Sequence, residues 1–227
     1  MDSVRIAQRF RGPPLSGNGG YTCGLLASVL GGTVEATLSK PPPLERTLRL
    51  RQSERLELLH DDVLIAQARP AELELSIPPL PDPEHVAACT ARYTGFQETP
   101  YPECFVCGPA RSQGDGLRVF AGRMHAGDPV CAPWTPHASL ANDAGEVHSA
   151  FVWAALDCPG YFAFGETFVA VLGRMTASLR RTLEAGTECV VLGWKLGSEG
   201  RKHYAATALF TVSGELVGCS KQVWIRL

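Results

Sequence analysis

Long apolar runs are missing from this chain. Across its 227 residues no uninterrupted apolar stretch approaches the ~20 residues that a bilayer span requires, and the opening MDSVRIAQRFRG carries no apolar segment of the secretion-signal kind. The expectation is a cytoplasmic protein without a membrane partner. An excess of charge is missing too: 21 Lys and Arg stand against 23 Asp and Glu, a net -2, which leaves no basic footprint for nucleic acid. The glycine-rich stretch Ser16 to Gly20 lacks the Gly-Lys-Ser/Thr ending of a phosphate-binding loop, and no G-x-G-x-x-G follows a strand, so nucleotide chemistry is set aside. Neither Ser16 nor Ser149 lies in a G-x-S-x-G elbow. Paired metal motifs are also absent. Cys104-Phe105-Val106-Cys107 is the sole C-x-x-C, and zinc there would have to recruit distant ligands such as Cys89 or His85. No metal and no cofactor is expected, and the eight cysteines read as reduced, buried thiols.

What the chain does have is apolar content enough for a real core, 45% of its residues, and one stretch around which the rest is organised. Val147 to Asp157, VHSAFVWAALD, shows no polar face and reads as a buried helix. It ends on a carboxylate. Asp is rarely buried without a partner or a task, and a negative charge at a helix C-terminus meets the wrong end of the macrodipole, so both effects are expected to raise the pKa of Asp157. Pro159 and Gly160 are expected to stop or kink the helix just past the acid. A carboxylate held in an apolar setting is how a general base or nucleophile is made; the plainer role is a carboxylate capped by neighbouring donors.

The chain in order supports a duplicated unit. A first strand is read in 4–11, ended by Gly12-Pro13-Pro14; the flexible Ser16-Gly17-Asn18-Gly19-Gly20 then opens a second apolar helix, YTCGLLASVLGG. Free amides at that glycine-rich start make an oxygen-binding pocket at the positive end of the helix. Four strands follow at 33–39, 47–51, 56–59 and 63–69, the last two joined by a turn at His60-Asp61-Asp62. Residues 78–103 carry many of the prolines and little periodicity, and read as a linker packed on the surface. Strands are then expected at 116–120 and 130–134, followed by the central helix and four more strands within 168–227. NGGYTCGLLA lies over HSAFVWAALD, and TVEATLSKPPPLERTLRL over FVAVLGRMTASLRRTL, at an offset of about 130 residues. The expected class is therefore α+β, with an N-terminal repeat in 1–95 and a C-terminal repeat in 96–227.

One apolar helix wrapped by a long antiparallel sheet, present twice, resembles the double hotdog arrangement of acyl-CoA thioesterases. The spacing of His148 and Asp157 is similar to the helix of phenylacetate-pathway thioesterases, where an Asp follows the His of an H-G-G start by nine places. CFVCGP at 104–109 with GDGLRVF at 114–120 also resembles segments of bacterial thioesterase-like proteins. The resemblance implies a site between two units, in which an amide at one helix start polarises a thioester carbonyl and the Asp of the other helix handles water or attacks. Nine helical residues rise about 13.5 Å and end half a turn out of phase, so one helix cannot easily offer both groups.

This chain departs from the pattern. Aligning its halves puts Asn18 over His148, Gly19 over Ser149, Gly20 over Ala150 and Ala27 over Asp157. Each half keeps a different component, and the expectation is one complete site per chain, Gly19 with Asp157. Asp157, Gly19 and Asn18 are the expected catalytic residues: Asp157 activates water, Gly19 holds the oxyanion, and Asn18 orients water or the acyl group. Gly20, Tyr21 and His148 are expected to bind substrate. The implied partner is a small-molecule acyl thioester on coenzyme A or a carrier, and the assembly is a monomer or a homodimer of double hotdogs. The alternative is a non-catalytic acyl-thioester-binding protein.

Overall fold

The computed structural model describes residues 2–123, 125–165 and 168–227. The order of elements repeats. The first half contains β1 (Ser3–Arg5), α1 (Gly19–Leu30), β2 (Val34–Leu38), β3 (Thr47–Gln52), β4 (Leu56–His60) and β5 (Val63–Pro70). After α2 (Pro83–Ala91), the second half contains β6 (Val130–Trp134), α3 (Ser149–Phe162), β7 (Ala170–Leu179), β8 (Cys189–Glu199), β9 (Lys202–Thr211) and β10 (Leu216–Arg226). The ten strands form one antiparallel sheet in the order β1-β3-β4-β5-β2-β7-β10-β9-β8-β6. Read outward from its centre, each wing gives the same sequence of strands.

The seam between the wings is the pair β2 and β7, in register from Val34 against Ala177 to Thr37 against Arg174. Alternation decides which side chains meet the core: Val34 and Ala36 are buried on β2, as are Met175 and Ala177 on β7, while Glu35 stays on the outer face with Arg69 and Arg174. Those exposed ion pairs contribute little. The helices fill the inner face, with Leu26, Trp153 and Leu156 fully buried, each such side chain worth roughly 1.5–3 kcal/mol of transfer free energy.

Several local expectations change. The segment 4–11 holds only the short β1 and a 3-10 turn at Gln8–Phe10. The segment 78–103 is not a structureless linker: Asp82 caps α2 through a bond from the His85 N–H at 2.8 Å, Pro83 opens it, and Val86 and Cys89 are buried against Cys131 of β6. Residues 116–120 form no strand, because Leu117 and Val119 donate to the Phe105 and Val106 carbonyls, and those belong to a turn. The overlay of TLRL on the later RRTL also fails. Thr47–Leu50 lie in β3, whose counterpart is β8, whereas 180–183 lie in the connection after β7.

The central helix does not stop at the acid. It runs five residues further, with Pro159 inside it, and the Leu156 carbonyl one turn earlier is taken by Thr207 Oγ1 at 2.8 Å and Gln222 Nε2 at 2.6 Å. Those bonds from β9 and β10 tie the helix to the sheet within a turn of the proline, whose missing N–H leaves the Ala155 carbonyl, not that of Leu156, without its helical donor.

Candidate active site

The helices α1 and α3 pack face to face, and small residues set how closely. A Cβ on Gly20 would lie 2.5 Å from Asp157 Cβ and 2.9 Å from the Trp153 carbonyl oxygen, and one on Gly24 would lie 2.6 Å from Ala150 Cα. Glycine at these two positions, one turn apart, lets the backbone of α1 sit against α3. Asp157 can therefore reach the start of the opposite helix.

Asn18 is the N-cap of α1. Its Oδ1 accepts from the Tyr21 N–H at 2.8 Å, and its Nδ2 donates to Asp157 Oδ2 at 2.9 Å. The same Oδ2 accepts from the Gly20 N–H, also at 2.9 Å. Asp157 Oδ1 is buried and has no partner among the described residues. Burial raises the carboxyl to about 7; the Gly20 N–H and Asn18 amide oppose that rise, and the nearby Cys104 thiol adds to it. The macrodipole is not the cause, since the acid sits within the helix and not at its end. The Gly19 N–H, first in α1, finds no acceptor among the described residues.

Asn18, Gly19 and Asp157 all line one cavity of about 390 Å³, together with Leu38, Tyr101, Tyr161, Leu172 and Trp224. Its walls are largely apolar, and Lys40 is its cationic residue among the described ones. Three residues expected to bind substrate, Gly20, Tyr21 and His148, do not line this cavity. Gly20 is beneath the acid, its N–H consumed by Asp157, and does not line the cavity. Tyr21 is buried among Phe10 and Phe151, with ring centroids 4.5 and 5.5 Å away, and burial pushes its phenol to about 12. His148 is exposed at the start of α3, where its Nδ1 accepts from the Ala150 N–H at 3.2 Å. Tyr21 thus packs between the helix starts and His148 caps α3, and neither is part of the cavity's lining.

The two helix starts correspond, as the alignment of the halves expects: Asn18 and His148 are the respective N-caps, about 130 residues apart. Tyr21 and its counterpart Phe151 stack on each other between them.

Sequence reasoning missed Cys158 as a partner of the C-x-x-C pair. The sulfurs of Cys104, Cys107 and Cys158 lie within 4.8 Å of one another, buried, and all three residues line the cavity. Neither Cys89 nor His85 joins them; those two gather separately with Cys131. The available signal was adjacency, since Cys158 directly follows the acid.

No family model matches the sequence, and no curated protein does. Solved structures match over nearly the whole chain. A TesB protein of Mycobacterium avium subs. paratuberculosis superposes with a TM-score of 0.63 at 14% identity, covering 99% of this chain and 92% of its own. A hotdog-fold protein of unknown function from Alicyclobacillus acidocaldarius gives 0.61 at 11% identity, with coverage of 99% and 92%. The acyl-CoA thioesterase II TesB2 of Mycobacterium marinum gives 0.58 at 13% identity, again covering 99% and 92%. Identity this low carries the fold and nothing finer. With two helices each wrapped by five strands of a continuous sheet, the chain is a double hotdog.

Proposed function

We propose that the chain hydrolyses acyl thioesters, with Asp157 as general base and the Gly19 N–H as oxyanion donor. The observation that carries this reading is the pairing of the two across the helix interface. A half-paired, buried carboxylate and an unpaired helix-start amide line the same apolar cavity. The unit of residues 1–95 supplies the amide and the unit of residues 96–227 supplies the acid.

In this mechanism the acyl group lies against Leu38, Leu172 and Trp224, and the thioester oxygen rests on the Gly19 N–H, where charge develops as the carbonyl carbon becomes tetrahedral. Asp157 Oδ1 takes a proton from water as its oxygen attacks that carbon. Collapse of the intermediate breaks the C–S bond, and the thiol leaves after protonation. A carboxyl raised to about 7 is suited to both halves of this exchange near neutral pH. Asn18 is a positioning residue. One polar atom caps the helix and the other donates to the acid, so it aims Asp157. Gly20 likewise fixes Oδ2 and leaves Oδ1 for chemistry.

Acyl-CoA is the natural probe, since the Mycobacterium marinum neighbour is named for it and Lys40 stands in the cavity lining to meet an anionic carrier. The test is release of free thiol from a panel of acyl-CoAs by the parent chain and by Asp157→Asn. Turnover by the parent, with a fall of about 10²–10⁴ in the variant and retained acyl-CoA binding, supports the role. Turnover that survives the substitution removes Asp157 from the mechanism, and binding without release in the parent makes the protein a thioester-binding module.

A further inference from the structure

We propose that Cys104, Cys107 and Cys158 form a metal site that takes one thiophilic divalent cation, Zn2+, as three thiolates, with a fourth position open to the cavity. Three thiols from parts of the chain far apart in sequence converge on one point: two from the C-x-x-C turn and one from α3. Four ligands about 2.3 Å from a tetrahedral zinc stand about 3.8 Å apart, and the Cys104 and Cys158 sulfurs are 3.8 Å apart. That separation is far beyond the ~2.05 Å of a disulfide, which would in any case use two sulfurs and strand the third.

The turn around the first two ligands is built to present sulfur. The Gly108 N–H donates to the Cys104 carbonyl at 2.9 Å, and a Cβ on Gly108 would fall 2.5 Å from that same oxygen, so the tight return after the second cysteine requires glycine. The Cys104 and Cys158 sulfurs are in hydrogen-bonding contact, and the Cys107 sulfur lies within 4.8 Å of both. Tyr93, buried, braces the second ligand by donating its O–H to the Cys107 carbonyl at 2.7 Å.

Binding balances simply: Zn2+ enters, three S–H protons leave to solvent, and water completes the coordination. The bound site carries one net negative charge. Because Cys158 directly follows Asp157 on α3, the ion ties the helix bearing the acid to the loop that lines the cavity beside it. A three-cysteine set with an open position suits zinc in preference to the hard cations, which take oxygen ligands.

The assignment is tested by metal content and spectroscopy, independently of any thioesterase activity. The full chain, purified under reducing conditions, is expected to hold about one zinc per molecule by plasma mass spectrometry. After chelation, added Co2+ is expected to give a thiolate-to-metal charge-transfer band of three-thiolate intensity and the d–d bands of tetrahedral cobalt, both abolished by Zn2+. This reading on the parent chain decides the matter even where a cysteine variant fails to fold. Cys104→Ser, Cys107→Ser and Cys158→Ser are each expected to weaken binding by at least the ~10–100-fold that outer-shell changes alone cost, and Cys219→Ser to leave it intact. Three results overturn the proposal. The reduced chain with all eight thiols free binds neither ion; the ion stays in those three variants but leaves with Cys89→Ser, which places it at the His85, Cys89 and Cys131 cluster; or the chain isolates with a Cys104–Cys158 disulfide and binds no metal once reduced.

Discussion

The two ends of the paired helices have the same backbone and opposite contents. At the start of α1, Asn18 caps the helix and spends its amide on Asp157, and Gly20 leaves room for the acid and gives it an N–H. At the start of α3, His148 caps the helix with an exposed ring, Ala150 occupies the glycine position, and its N–H is taken by the His148 Nδ1. The residue that corresponds there to Asp157 is Ala27, buried and apolar. A duplicated scaffold thus offers two equivalent places for an acid and fills one. The difference rests on a few residues at fixed backbone positions, and each can be exchanged.

The largest effect is expected from Asp157→Asn, with thiol release falling by about 10²–10⁴. The fold should gain. An ionised carboxylate buried with one oxygen unpaired costs stability that a neutral amide of the same shape does not, so calorimetry at neutral pH should show a higher Tm for the inactive variant. A lower Tm together with lost turnover would mark Asp157 as a structural group. Ala27→Asp, made in the Asp157→Asn background, asks the converse. The new acid would find the Ala150 N–H already occupied and no amide in the place of Asn18, so denaturant unfolding should show a loss of about 3 kcal/mol or more and no return of turnover. Recovery of activity would mean that the helix start matters less than the acid alone.

Much of this architecture was legible in the chain. Helix, strand and turn signals were local: apolar runs closed by glycine, alternating leucines in β3, and the His60-Asp61-Asp62 turn, where both aspartates adopt positive φ. The equivalence of Asn18 with His148 followed from two similar helices in one sequence. What escaped was long-range. Nothing local says that Gly20 and Gly24 face Ala150 and Trp153, since the small residues of a helix interface look like any glycine in a helix. Nor does spacing reveal that Cys158 meets Cys104. The extent of α3 was misjudged because Pro159 normally ends a helix, whereas here the helix runs through it while Thr207 and Gln222 of distant strands hold the Leu156 carbonyl beside it. Tyr21 was expected at the substrate by its place in the chain, but a helical residue three places after the cap turns toward the partner helix and stacks on its own counterpart.

Gly20→Ala probes the closeness that admits the acid. With its added carbon directed at Asp157 Cβ, the variant must separate the helices or displace the carboxylate, at a cost of about 1–3 kcal/mol for overpacking, and turnover should fall with the lost alignment of Oδ2. The reverse exchange at the other end, Ala150→Gly, should cost only the ~0.5–1 kcal/mol of extra chain entropy and leave turnover unchanged. Equal penalties for the two would show that the helix pair tolerates either residue at either end.

The smallest effect is expected from His148→Ala. Removing this cap frees the Ala150 N–H, which costs about 1 kcal/mol of helix stability in a denaturant titration. Acyl-CoA hydrolysis should keep both its kcat and its KM, because the ring is exposed at the unfilled end and lines no part of the cavity. The paired variant Asn18→Ala loses a similar cap and, in addition, the amide that aims Asp157, so its kcat should fall while KM changes little. If the two alanine variants lose stability alike but only the second loses rate, the helix start of α1 has a role beyond capping. A matching fall in both would place substrate against His148 after all.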